Sequence, residues 1–119
     1  MNKEITDIEK QFEKCSKIFI ALGNETRIHI ITSILKKAEN NPQCKGMRVG
    51  EICEIANLSR PAISHHLKEL KDAGILNMRE EGTKNYYYFD AQTSLVQVSY
   101  LLDKAIAFYA QAKQGEKNE

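Results

Sequence analysis

The residues with the most chemistry to offer are two adjacent histidines, His65 and His66, in the stretch SRPAISHHLKEL (residues 59–70), and three cysteines, Cys15, Cys44 and Cys53. Histidine and cysteine are the ingredients of a metal centre, of acid/base catalysis or of a nucleophile paired with its base. The spacing speaks against each. Neighbours on a helix project about 100° apart, so adjacent imidazoles on one helix cannot share an ion. A three- or four-residue interval would be needed, and neither HxxH nor HxxxH occurs. The cysteines are odd in number and include no CxxC pair, which argues against a disulfide framework and a zinc finger. There is no glycine-rich phosphate loop and no Glu beside the histidine pair, so neither an enzyme nor a metal or other cofactor is expected.

The same stretch reads well as a helix that touches something. With Ile63, Leu67 and Leu70 as its core stripe, His65 falls almost opposite that stripe and His66 on its shoulder, beside Ala62 and Ala73. The two histidines therefore get different roles. Ser64, His65 and Lys68 lie on a face able to reach base edges and phosphates in a major groove. His66 is expected to be structural, with a ring nitrogen hydrogen-bonded to backbone near the preceding turn. Ser59 is a natural helix cap and Pro61 suits a first turn, but a residue before proline is pushed toward extended geometry. Either Ser59 or Arg60 could thus be the cap. In both cases Arg60 stands at the helix start, where it and the backbone N–H groups can meet phosphate or guanine.

Such a helix needs a frame, and the flanking sequence supplies one. A short helix through Val49, Ile52, Cys53 and Ala56 precedes it, separated by Asn57-Leu58-Ser59, which makes a helix-turn-helix. After Gly74 come ILNMRE, EGT and KNYYYFD, two strand-prone runs around a glycine turn, and so a hairpin. Arg79, Thr83, Lys84 and Asn85 surround that turn, where the two cations could straddle a phosphate backbone. Tyr86 to Tyr88 read as strand packing.

Upstream, Ile5, Ile8, Phe12, Cys15, Phe19 and Leu22 form one apolar stripe on a first helix, ended by Gly23. Asn24 and Glu25 then cap and open a second helix through Ile28, Ile31 and Leu35. Residues 36–46, KKAENNPQCKG, read as a loop. Downstream, helical spacing returns through Leu95, Val98, Leu102 and Tyr109, and the tail from Gln114 is expected to fray. The expected fold is mainly α with a small β-hairpin: a winged helix-turn-helix of four helices, the hairpin and a fifth helix.

At 119 residues one domain is expected. Its parts are 1–22 for dimerisation, 48–73 for the helix-turn-helix, 75–90 for the wing and 91–113 for dimerisation again. The terminal helices carry more apolar surface than so small a reading module can cover, which predicts a homodimer through Ile8, Phe12, Cys15, Phe19, Leu95, Val98, Leu102 and Tyr109. Dimers set two recognition helices about one DNA turn, roughly 34–36 Å, apart. A formal net charge of +1 means that a nucleic-acid partner must be met by a local patch. The apolar runs are shorter than the roughly 20 residues that span a bilayer, so a cytoplasmic chain without membrane attachment is expected.

KIFIALGNETRIHIITSIL followed by VGEICEIANLSRPAISHHLKELKDAGILNMREEGTKNYYYFD closely resembles the ArsR/SmtB family of winged-helix regulators, over about Lys17 to Asp90. The resemblance implies a homodimer paired through its first and last helices, which holds double-stranded operator DNA as a repressor until an inducer releases it. Two departures matter. Where metal-sensing members carry Cys-Val-Cys or Cys-Val-Gly, this chain has Arg48, Val49 and Gly50, so a cation replaces the principal thiolate. The family's other site takes Asp and His from the last helix, yet no His follows His66, which leaves Asp90 and Asp103 without a soft-donor partner. A regulator lacking the usual metal sites is the expectation. A thiol-responsive or atypical metal-responsive repressor using Cys15, Cys44 or Cys53 is one alternative, and a winged-helix protein-interaction module is another.

Overall fold

A computed structural model describes residues 3–117 of the chain. The elements run α1 (Lys3–Leu22), α2 (Glu25–Asn40), α3 (Val49–Ala56), α4 (Arg60–Asp72), β1 (Leu76–Glu81), β2 (Lys84–Phe89) and α5 (Gln92–Lys117), which is a winged helix-turn-helix. The contacts divide the chain into two compact units, Lys17–Ala91 and the residues up to Ser16 together with those from Gln92 on. Among the described residues no single helix is long and apolar enough to cross a bilayer.

In the Lys17–Ala91 unit, α2 starts where expected: the Asn24 side chain accepts the Arg27 backbone N–H at 3.0 Å. It ends later than expected. Lys36, Lys37, Ala38 and Glu39 are all competent helix formers, so the helix continues to Asn40 and stops only at Asn41-Pro42. The loop is correspondingly shorter than the eleven residues read from sequence, and its end is ordered by the wing. Met47 exchanges two 2.8 Å backbone hydrogen bonds with Tyr87, adding a single rung to the hairpin.

Between α3 and α4 the chain turns through Asn57 in the left-handed region (φ 53°, ψ 46°), a conformation that Asn tolerates better than most residues. Ser59 is the cap of α4, its hydroxyl accepting the Ala62 N–H at 3.4 Å, and Arg60 is the first helical residue. Gly74 closes α4 at φ +74°, with the N–H of Ile75 donating to Leu70 and its own to Lys71, the hydrogen-bond pair of a Schellman ending. Gly82 (φ +62°) is first of the two loop residues joining Glu81 to Lys84, the place a type II′ hairpin turn reserves for glycine. Ile30, Ile34, Met47, Ile52, Ile63, Leu67, Leu70, Ile75 and Leu76 form the buried core beneath these elements.

Gly46 is the tightest backbone position. It sits at φ +126°, and a Cβ there would approach the Tyr87 carbonyl oxygen to 2.4 Å. Gly46→Ala is therefore expected to lower stability by at least about 1–3 kcal/mol, from backbone strain alone, with the wing displaced. The check is a denaturant midpoint, and an unchanged midpoint would refute the close approach. The fraying expected from Gln114 is not observed: α5 remains helical to Lys117, and only the last two residues of that tail lie outside the described ones.

Candidate nucleic-acid interface

Helix α4 buries Ile63, Leu67 and Leu70 completely and leaves Ser64, His65 and Lys68 exposed, as the stripe predicted. His66 is half-buried, but its partner differs from the expectation. Its Nδ1 accepts from Nε of Arg27 at 3.1 Å, not from backbone, and this places the ring proton on Nε2. Arg27 itself is buried and also donates from Nη1 to the Ile20 carbonyl at 3.2 Å. One guanidinium thus ties the end of α1 to α4 through two neutral acceptors. In the sequence Arg27 looked like a polar residue in the first turn of α2; its burial depends on a contact 39 positions away in the chain.

Desolvation, then the positive charge of Arg27, then His65 hold the His66 imidazole below the ordinary value of about 6.5. The unfolded chain therefore takes up a proton near pH 6.5 that the folded chain resists, so stability is retained above that pH and declines as pH falls below it, until the folded group also titrates. A melting temperature level above neutrality and falling on the acid side of about 6.5 is expected, with His66→Gln flatter in that window. Equal pH dependence in both proteins would count against the Arg27–His66 contact.

On the hairpin, Leu76, Met78 and Glu80 face Phe89, Tyr87 and Asn85, while Asn77, Arg79 and Glu81 face Tyr88, Tyr86 and Lys84. The buried or half-buried side chains Leu76, Met78, Tyr87 and Phe89 place the first set against the core. Arg79 is laid across the Tyr88 ring, its Cζ 5.0 Å from the centroid, so it stands on the face of the wing and not at the tip. Thr83 and Lys84 are exposed at the tip. Glu81, beside Lys84, is paired with Lys45 at 2.5 Å, which neutralises an acid at the tip; this pairing across 36 residues is not visible in the sequence.

Arg60, Thr83 and Asn85 share a cleft of about 340 Å³ with the opening of α3, Arg48 to Glu51. Glu51 is the acid in this wall. Partial burial acts to raise its pKa, but the 2.7 Å pair with Lys37 and the Arg48 backbone N–H outweigh it, and the carboxyl is held below its ordinary value. The structure thus brings Arg60 and Thr83 together and adds Arg48 and Asn85, while Ser64, His65 and Lys68 occupy the open face of α4.

Along α1 the apolar stripe is split. Cys15 is fully buried and Ile8 and Leu22 are half-buried, whereas Ile5, Phe12 and Phe19, on an adjacent line of seven-residue spacing, are 40%, 51% and 38% exposed. Helix α5 has two stripes. Ser94, Val98, Leu101, Ala105 and Phe108 face inward, and Leu95, Leu102, Ile106 and Tyr109 are left open. Ile8, Cys15 and Val98, expected among the contacts to a partner, thus lie on the inner side, Cys15 fully buried and the other two half-buried, because the line through residues 8, 15 and 22 is the one turned inward. Among the described residues no group of three or more His, Cys, Asp or Glu could hold an ion.

The sequence matches the profile of the bacterial regulatory protein arsR family over residues 24–78. It is 42% identical over 79 residues, 66% of this chain and 81% of the other, to an uncharacterised HTH-type transcriptional regulator of Methanocaldococcus jannaschii. It is 31% identical to a cadmium resistance transcriptional regulatory protein CadC homolog of Staphylococcus aureus, covering 90% of this chain and 85% of the other. Among solved structures, reduced HlyU from Vibrio cholerae superposes with a TM-score of 0.61 at 26% identity, covering 80% of this chain and 92% of that one. An ArsR-like transcriptional regulator from Rhodococcus reaches a TM-score of 0.73 with 90% of both chains covered, at 21% identity a likeness of fold.

Proposed function

We propose that this chain, which belongs to the arsR family of bacterial regulatory proteins and is a DNA-binding transcriptional regulator, works in the cytoplasm as a homodimer that represses transcription by occupying an operator. The observation that carries the reading is the division of α4: three side chains anchor it in the core and Ser64, His65 and Lys68 stand free on the opposite side. Those three, with Arg60 and the exposed wing residues Thr83 and Lys84, are the groups assigned to DNA, α4 in the major groove and the wing on the backbone. Ser59 accepts the Ala62 N–H at the cap, which leaves its hydroxyl proton to donate to a phosphate, and Arg79 reaches a phosphate from above Tyr88.

The exposed stripes, Ile5, Phe12 and Phe19 on α1 and Leu95, Leu102, Ile106 and Tyr109 on α5, are the dimer surface, because so many large apolar side chains exposed on a small chain signal a partner. A protein-docking module is not favoured, since the relatives are named as transcriptional regulators. Although one relative is named for cadmium resistance, a guanidinium stands at the opening of α3 here, and no soft-metal response is assigned to that segment. The test is a gel shift with DNA from upstream of the chain's own coding sequence, at low and moderate salt. Retardation that survives competitor DNA is expected, and its absence across that region would overturn the reading. Repeating the titration with Zn²⁺, with oxidant, and with chelator plus reductant identifies the class of inducer.

A further inference from the structure

We infer that the cleft between the opening of α3, the start of α4 and the wing turn is a seat for a phosphodiester of the DNA backbone, with Arg48 as a DNA contact beyond those named above. The inference rests on the DNA-binding reading and adds a site to it.

Charge and shape carry it. Arg48 and Arg60 come from different helices and line one concavity of about 340 Å³. Among the described residues neither guanidinium forms an ion pair: the acid in the wall, Glu51, receives Lys37 at 2.7 Å and, from Arg48, only the backbone N–H at 3.3 Å. Glu51 is matched by Lys37 and also feels the Arg48 charge, so two arginines against one already paired acid leave the lining net positive. Thr83 and Asn85 add a hydroxyl and an amide from the wing. Two guanidiniums with neutral polar groups between them suit a phosphoryl oxyanion, which Arg binds through paired N–H donors. At Gly50, which lines the cleft, a Cβ would meet nothing within 4 Å, so the position faces open space. A nucleic-acid strand is the source favoured over a small phosphorylated molecule, because one wall is the first residue of the recognition helix and another is the wing turn, the two elements that must straddle a backbone.

The test is the salt dependence of binding to an operator duplex and to a scrambled duplex, for the wild type, Arg48→Ala, Arg48→Lys and Gly50→Glu. Arg48 is exposed and Gly50 has open space, so all variants are expected to keep the wild-type melting temperature. Each phosphate contact contributes about 0.9 to the slope of log affinity against log salt, so Arg48→Ala should flatten it by about 2 per dimer. Its deficit should then shrink roughly tenfold between about 50 and 200 mM salt, alike on both duplexes. Arg48→Lys should restore the slope, and Gly50→Glu should weaken binding to both duplexes. An unchanged slope in Arg48→Ala, or a loss confined to the operator, overturns the phosphate seat and leaves the DNA-binding reading standing. A wild type that binds neither duplex overturns both. In a further arm, inorganic phosphate is titrated into DNA-free protein at constant ionic strength: a saturable shift of the Val49 and Gly50 amide signals that Arg48→Ala abolishes would reassign the cleft to a small phosphate-bearing ligand.

Discussion

Replacing Leu102 and Ile106 together with Glu is expected to give a folded monomer that binds the operator at least about 100-fold more weakly than the parent, a cost of about 2.8 kcal/mol. Both side chains are open on the single chain, at 50% and 64% exposure, so charge there costs the monomer little. In a dimer each would otherwise be buried, a gain of about 1.5–3 kcal/mol per side chain, and twofold symmetry repeats the loss on the partner. Leu101 is the control. It is fully buried in the chain, so Leu101→Glu should unfold the protein itself. Light scattering separates the cases, and a dimer mass unchanged in the double variant would remove the open stripe of α5 from the interface.

The second large effect is expected at the recognition helix. Arg60→Ala and His65→Ala should each cost about 1–3 kcal/mol of operator binding, and the two losses should add if the side chains have separate partners on the DNA. Neither change touches the core, because Ile63, Leu67 and Leu70 hold α4 in place from the other side. Titrations with operator and scrambled duplexes distinguish the roles: a side chain that reads a base loses operator affinity alone, and one that grips phosphate loses both equally. Operator affinity unchanged in both variants would take α4 out of the groove.

Much of the fold was legible because it is written in local patterns. Apolar spacing of three and four, the cap Asn24, the breakers Gly23 and Gly74, and the glycine turn in the wing all act over a few residues, and the structure has each of them; between Ser59 and Arg60 as the cap of α4 only the structure chose. The two boundary errors have equally local causes. The α2 boundary was misjudged because Asn and Gly nearby outweighed four good helix formers, and the α5 end because a polar, glycine-containing tail reads as frayed although the helix continues through it.

By itself the sequence determined the order of the elements, which face of α4 is apolar, and hence that His65 is open while His66 is not. Only the tertiary structure decided what His66 holds, that Cys15 and Val98 turn inward while Phe12 and Leu102 do not, that Lys45 covers Glu81, and that Arg48 stands across a cleft from Arg60. The physical reason is range. Helix and strand periodicity record whether a residue is apolar at a given angle, and so they give a stripe its direction. Which edge of that stripe meets the chain's own interior, and which distant charge answers an arginine, depends on elements brought together from tens of residues away.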